Sequence, residues 1–373
     1  MKVNLKEYNM NVLIVVGTRP NFIKVTQFKK VAKKYPAIDI KIVHTGQHYD
    51  EKMANVFFKQ FDTVPDFFLN ISNTSANTQM AEIMLGIEKI CKEYAPDLIM
   101  VVGDVNSTFA AALAANKLDV KIAHLESGLR SFDRTMPEEI NRLLTDEITD
   151  YFFVTEQSGL DHLLHEGKKE SQLFFVGNTM IDTMIAFEPM IMNNPILQTL
   201  KITPQEFVLM TIHRPATVDD KEELGKLLSL IEYVTNFYKV VFPIHPRTIN
   251  SLKKFNLYTK FEKIKNIIIS EPIDYFAFQK LISECKFILT DSGGIQEEST
   301  YRGKPCITLR PNTERPSTIT IGSNTLLPFD MELIIETIST IENGSYKKGS
   351  VPPLWDGLAT ERIFKILEGV LIK

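Results

Sequence analysis

Short runs rich in valine and isoleucine alternate with longer amphipathic stretches along nearly the whole chain, and this alternation constrains the architecture more than any other feature. Strand-sized apolar runs separated by helix-sized ones predict βαβ units, because parallel strands can be joined only through a crossover. In the first half the strand runs are 12–16, 38–43, 98–102, 120–124, 151–154 and 173–176. Residues 23–34 and 78–94 carry apolar side chains at three-to-four spacing and predict helices. The second half repeats the scheme, with strands at 207–211, 239–242, 266–270, 287–290 and 306–309 and helices at 221–237, 275–283 and 295–301. The expectation is an α/β protein of two Rossmann-like, doubly wound domains facing a cleft. The domains are placed at 11–182 and 183–355, joined near a Met-rich segment with Pro189, Pro195 and Pro204; a C-terminal helix within 356–373 is expected to pack back on the first.

With 373 residues, 44% of them hydrophobic, the chain can bury two cores. Its net charge of -4 offers no general basic field for nucleic acid, so any anion must be held by a local pocket. Cys91, Cys285 and Cys306 are odd in number and lack metal-ligand spacing. That usage predicts a reduced, cytoplasmic setting with neither a disulfide framework nor a metal site. No apolar run approaches the ~20 residues needed to cross a bilayer, so no membrane association is expected. Residues 1–10 are polar and read as an extension ahead of the first strand.

Charge concentrates where strands end. Residues 124–142 pack a histidine, three arginines and several carboxylates behind the run 120–124. In parallel α/β sheets ligands bind at the carboxyl ends of the strands. Within this stretch Thr135-Met136-Pro137-Glu138 also fits a capping box, which would make Glu138 structural; Glu126 and Asp133 are not explained that way. The preceding strand ends in Gly103-Asp104, where Asp104 is either a helix N-cap or a carboxylate brought beside Glu126 by strand pairing. The first strand runs into Gly17-Thr18-Arg19-Pro20, a glycine turn with cations Arg19 and Lys24 that suits a phosphate but lacks dinucleotide-fold or P-loop spacing. In the second half, His213-Arg214 and His245-Pro246-Arg247 close successive strands, and Asp291-Ser292-Gly293-Gly294 opens a helix. The two glycines allow close backbone approach, Ser292 adds a donor, and Glu298 one turn inside can accept from a ribose hydroxyl. With Arg310, Arg315 and Arg19, the pattern suggests a gripped diphosphate.

These motifs occur together and in order. Gly17-Thr18-Arg19-Pro20, Gly103-Asp104, His124-Leu125-Glu126 with Gly128-Leu129-Arg130, Pro137-Glu138-Glu139 with Asn141-Arg142, Gly177-Asn178-Thr179, His213-Arg214, Asp291-Ser292-Gly293-Gly294 with Glu297-Glu298, and Thr313-Glu314-Arg315-Pro316 resemble the non-hydrolysing UDP-N-acetylglucosamine 2-epimerases. The resemblance covers residues 12 to about 362. It implies a glycosyltransferase-B-like fold, a homodimer and a role in polysaccharide biosynthesis. The implied reaction interconverts UDP-N-acetylglucosamine and UDP-N-acetylmannosamine: UDP is eliminated to a 2-acetamidoglucal, then re-added with a proton delivered to the opposite face of C2. No cofactor is implied. By the same resemblance Asp104, Glu126 and Glu138 are the acid/base carboxylates, assisted by His213. Arg19, Ser292, Gly293, Gly294, Glu298 and Arg315 correspond to UDP-binding positions, Lys24, Arg130 and Arg142 to supporting cations, and Glu271 to the uracil surroundings. Some members bind a second substrate molecule as an activator near positions matching Gln47 and His245; here the run Gln47-His48-Tyr49-Asp50 departs from that pattern. An alternative within the family is epimerisation of a UDP-diacetamido uronic acid; outside it stand a glycosyltransferase of the same architecture and a non-catalytic UDP-sugar-binding regulator.

Overall fold

The computed structural model describes residues 9–47, 58, 60–72 and 74–371. They form two compact units, one drawn from residues 9–186 and 353–371, the other from 187–352. In the first unit seven parallel strands lie in the order β3-β2-β1-β4-β5-β6-β7. These are β1 Met10–Val16, β2 Ile38–His44, β3 Phe67–Phe68, β4 Leu98–Val102, β5 Lys121–Leu125, β6 Tyr151–Val154 and β7 Leu173–Phe175. The central strand β4, Leu-Ile-Met-Val-Val, is buried throughout, as expected of a parallel strand with helices on both faces. Leu13, Val15, Ile99 and Val101 pack against Ile83, Ile87 and Ile90 of helix Ala76–Tyr94 and the alanines of helix Asn106–Lys117. Small residues on the second helix let it lie close to the sheet.

The second unit carries six parallel strands in the order β10-β9-β8-β11-β12-β13. They are β8 Phe207–Thr211, β9 Lys239–Pro243, β10 Ile267–Ser270, β11 Ile288–Thr290, β12 Cys306–Leu309 and β13 Asn324–Leu327. Its core joins Val208, Met210, Val240, Phe242 and Leu289 to Leu227, Leu228 and Ile231 of helix Lys221–Val234. In both units the strand order reverses at one point, between β1 and β4 and between β8 and β11. Loops leaving the carboxyl ends diverge there, so each unit has a natural binding crevice at that point.

Two expectations are corrected. The helix predicted over 23–34 is broken into Arg19–Ile23 and Phe28–Ala32, because the Ile23 carbonyl accepts the Thr183 hydroxyl at 2.5 Å and the Lys24 and Val25 amides bond only three residues back. The first unit ends after Ala186 rather than 182, since helix Thr179–Ala186 continues past that point; two further short helices, Glu188–Met192 and Ile196–Leu200, follow it. Strands β3 and β13 carry no distinct sequence signal. The returning C-terminal helix, Ala359–Leu371, is capped by Asp182, which takes the Ala359 and Thr360 amides at 3.1 and 2.6 Å, and it packs Phe364 against Phe28 and stacks it on Tyr35.

Candidate active site

In the first unit the crevice is built by the ends of β1, β4 and β5. Asn21, on the one-turn helix after Gly17, donates to the Val102 carbonyl at 3.2 Å and so ties the β1 turn to the end of β4. Arg19 projects at the surface of this turn. Gly17 must be glycine because a Cβ would strike the Ser107 side chain. Register pairs Val102 with Leu125, which sets Asp104 and Glu126 just beyond neighbouring strand ends.

Each carboxylate has its own cation. Glu126 is ion-paired with Lys24, both nearly buried, so Lys24 acts on a carboxylate rather than standing ready for a phosphate. Asp104 pairs with Arg142, whose guanidinium also binds Glu139 at 2.8 Å. The N-cap of helix Asn106–Lys117 is Val105 with no side-chain bond, which removes the capping explanation of Asp104. The capping box at Thr135 is likewise absent. The N-cap of helix Pro137–Glu147 is Met136, and the Thr135 hydroxyl donates to Asp133 at 2.6 Å, leaving Glu138 exposed on the first turn. Its neighbour Glu139 is the structural one: it accepts the Ser131 and Phe132 amides at 2.9 and 3.0 Å. Burial pushes the Glu139 carboxyl up, but the Ser131 amide and Arg142 outweigh this and hold it below its ordinary value.

Arg130, expected to support the ligand, is committed to the fold, with Asp146 at 2.7 Å and a bidentate bond to Glu166. Asp146 also meets His124 at 2.6 Å. Asp146 was not anticipated; it lies one helix beyond the charged loop, and only its spacing from the loop's cations in three dimensions gives it a role. Gln47 is buried and takes both the Ser107 amide, at 3.0 Å, and the Ser107 hydroxyl, at 2.7 Å, which makes it part of the crevice wall. His48, Tyr49 and Asp50 lie outside the described residues.

In the second unit β8 delivers His213 and β11 delivers Asp291. The fully buried Asp291 accepts the His213 and Arg214 amides at 2.8 and 2.7 Å, which fixes the turn. Its other oxygen stands 3.1 Å from His213 Nδ1, an ion-pair contact off hydrogen-bond alignment. The imidazole of His213 is partly exposed and faces His245 with ring centroids 5.5 Å apart. His245 Nδ1 accepts the Arg247 amide, capping helix Pro246–Lys254; burial and then the charges of His213 and Arg247 hold its pKa below the ordinary histidine value. The predicted activator position thus belongs to the same crevice as His213.

Ser292 precedes helix Gly293–Tyr301 and has no intramolecular capping bond. At Gly293 a Cβ would come within 2.9 Å of Arg315 and Glu314, whereas at Gly294 it would meet nothing within 4 Å. Arg315 is paired with Glu297, at 2.8 Å, and with Glu314, which also holds Arg310 at 3.0 Å. Burial, and after it the charges of Arg214 and Arg315, depress the Arg310 pKa against the pull of Glu314. Arg214, Arg310 and Arg315 thus lie among Asp291, Glu297 and Glu314 beside a helix N-terminus, whose dipole favours an anion. Glu298 is nearly buried on the same helix, while Glu271 is exposed beyond the edge strand β10, away from the reversal point. Surface cavities of about 650 and 420 Å³ sit at the amino ends of β8 to β10, lined by Tyr233, Asn236 and Asn266 among others, and touch none of these groups.

A family model described as UDP-N-acetylglucosamine 2-epimerase matches residues 30–368. A Methanocaldococcus jannaschii protein named UDP-N-acetylglucosamine 2-epimerase is 39% identical, over 96% of this chain and 99% of its own. The structure of the M. jannaschii enzyme in complex with UDP-GlcNAc and UDP superposes with a TM-score of 0.88, covering 96% of this chain and 100% of that one. A Pseudomonas aeruginosa protein named UDP-2,3-diacetamido-2,3-dideoxy-D-glucuronate 2-epimerase is 36% identical, over 89% of this chain and 92% of its own.

Proposed function

The chain belongs to the UDP-N-acetylglucosamine 2-epimerase family, and from that premise we propose that it interconverts UDP-N-acetylglucosamine and UDP-N-acetylmannosamine through elimination and re-addition of UDP. The observation that carries the reading is the pair Asp104 and Glu126 at adjacent strand ends, each held by its own buried cation. The C2 hydrogen is not flanked by a carbonyl, so its removal must accompany loss of the diphosphate. Carboxylates are required to take that proton from one face and return one to the other. Lys24 and Arg142 hold Glu126 and Asp104 in place, and exposed Glu138 supplies a further acid/base group.

The second unit supplies what the leaving group needs. Backbone N–H groups at Gly293 and Gly294 and the Ser292 hydroxyl, with the surrounding arginines, suit the diphosphate, and Glu298 suits the ribose. His213, steadied by Asp291, can stabilise the oxygen that leaves C1. Arg19 is the first unit's candidate phosphate contact. Elimination followed by re-addition is redox-neutral, so no hydride carrier enters the chemistry. The homodimer and the place in polysaccharide biosynthesis rest on the family resemblance, and sedimentation of the purified chain tests the dimer. A cytoplasmic setting is supported by three free cysteines, and localisation of a tagged chain tests it. Among the described residues no helix is long and apolar enough to cross a membrane.

Incubation with UDP-N-acetylglucosamine in deuterated water, followed by NMR at C2, is the direct test. Deuterium at C2 together with a manno product is expected; a substrate recovered undeuterated removes the reading for this sugar. The Pseudomonas relative favours one second reading, epimerisation of the diacetamido uronic acid. Side-by-side turnover of both substrates separates them.

A further inference from the structure

Glu126 carries a backbone φ of +76°, a left-handed setting that residues with a side chain adopt only under constraint. The constraint is visible around it. The Glu126 and Ser127 amides both donate to the Phe153 carbonyl, at 3.0 and 3.3 Å. Two residues on, the Gly128 amide donates to Asp146 Oδ2 at 3.1 Å, with Gly159 backbone occupying the place of a Gly128 Cβ. Asp146 Oδ1 lies 2.6 Å from His124 Nδ1, and His124 Nε2 lies 2.7 Å from the Gly103 carbonyl. Gly103 leads directly into Asp104, and its own amide returns to the Leu125 carbonyl at 3.0 Å. One buried group thus reaches the loop beyond Glu126 and, through one imidazole, the turn that carries Asp104.

Both partners of the imidazole are acceptors, so both ring nitrogens carry protons. A charged imidazole with no exposed surface requires balance, which the cluster provides: His124 and Arg130 face Asp146 and Glu166, two charges of each sign. Having no exposed surface, His124 cannot touch a substrate. We infer that His124 and Asp146 form a positioning pair that locks the Gly103-Asp104 turn and the backbone of Glu126 in one register, so that the two carboxylates meet C2 from fixed places. This rests on the epimerase reading.

Two measurements on the full chain test it. In nitrogen-15 histidine NMR of the unmodified protein at neutral pH, one histidine should show slowly exchanging protons on both ring nitrogens, each held in a hydrogen bond. Absence of such a histidine overturns the pair, whether or not the protein proves to be an epimerase. In turnover assays, Asp146→Asn should lower kcat roughly 100-fold by misplacing the carboxylates, with KM and UDP affinity within about threefold. His124→Gln should behave alike, and the double substitution should cost no more than the worse single one. A lowered Tm with kcat intact, or losses that simply multiply, would overturn the proposal. If Asp146→Asn does not fold, the NMR result decides.

Discussion

The two strand-order reversals, built on the same topology, are dressed in opposite ways. At β1/β4 acidic groups dominate and each is tied to a cation of the fold: Glu126 to Lys24, Asp104 to Arg142. At β8/β11 cations, glycines and a half-exposed histidine dominate, and the carboxylates present, Asp291, Glu297 and Glu314, serve to orient them. On the proposed reading one crevice exchanges protons and the other holds an anion. A shared fold fixes where chemistry takes place, and the residues at the loop tips decide which chemistry it is.

The sharpest way to break this division is to neutralise the first crevice. Asp104→Asn and Glu126→Gln should each lower kcat by roughly 10²–10⁴ while leaving UDP affinity nearly unchanged; parallel loss of UDP binding, read by calorimetry, would show that the two crevices are not specialised. Next in size is an acid effect in the first unit. Burial holds His44 down at about 4, and its Nδ1 accepts the Gly46 amide. The folded state therefore binds fewer protons than the unfolded chain between those values, so stability is full above about 6.5 and falls as pH drops toward 4, by roughly 3 kcal/mol. Urea unfolding across that range checks it, and His44→Gln should flatten the profile.

A smaller change probes the second crevice. Gly294→Ala meets no protein atom within 4 Å and should leave Tm unchanged, yet weaken UDP about tenfold by standing where the backbone is approached. An unchanged Kd would move the diphosphate elsewhere. Least affected should be Glu271→Ala, exposed and at the sheet edge, with a change in UDP affinity within about threefold; a larger loss would extend the anion crevice across β9 to β10.

Much of this was legible in the sequence because it is local. A run such as Leu98 to Val102 can only be a covered parallel strand, and glycines and charges just after such runs mark the loops that carry function. Illegible were the features set by distance. Glu138 and Glu139 are neighbours of the same type, and only the fold shows that one is exposed while the other holds the loop amides. Lys24, Arg130 and Arg142 look like ligand cations until their carboxylate partners, 102, 16 and 38 residues away, come into view (126 minus 24, 146 minus 130, 142 minus 104). Likewise the 23–34 helix was overruled by Thr183, a residue from another element.

The return of residues 353–371 to the first unit bears on the order of events at the ribosome. The first unit is interrupted by 166 residues of the second (352 minus 186), so its last helix emerges only after the whole second unit has been made. Domains usually fold from the N-terminus during synthesis at ~5–20 residues per second; here the first to begin would be the last to finish, waiting on the order of 8–33 s with Asp182 lacking the amides of Ala359 and Thr360. A released chain ending just before Trp355 should therefore show 187–352 resistant to protease and the earlier residues cleavable, because the first unit lacks the helix whose amides Asp182 binds.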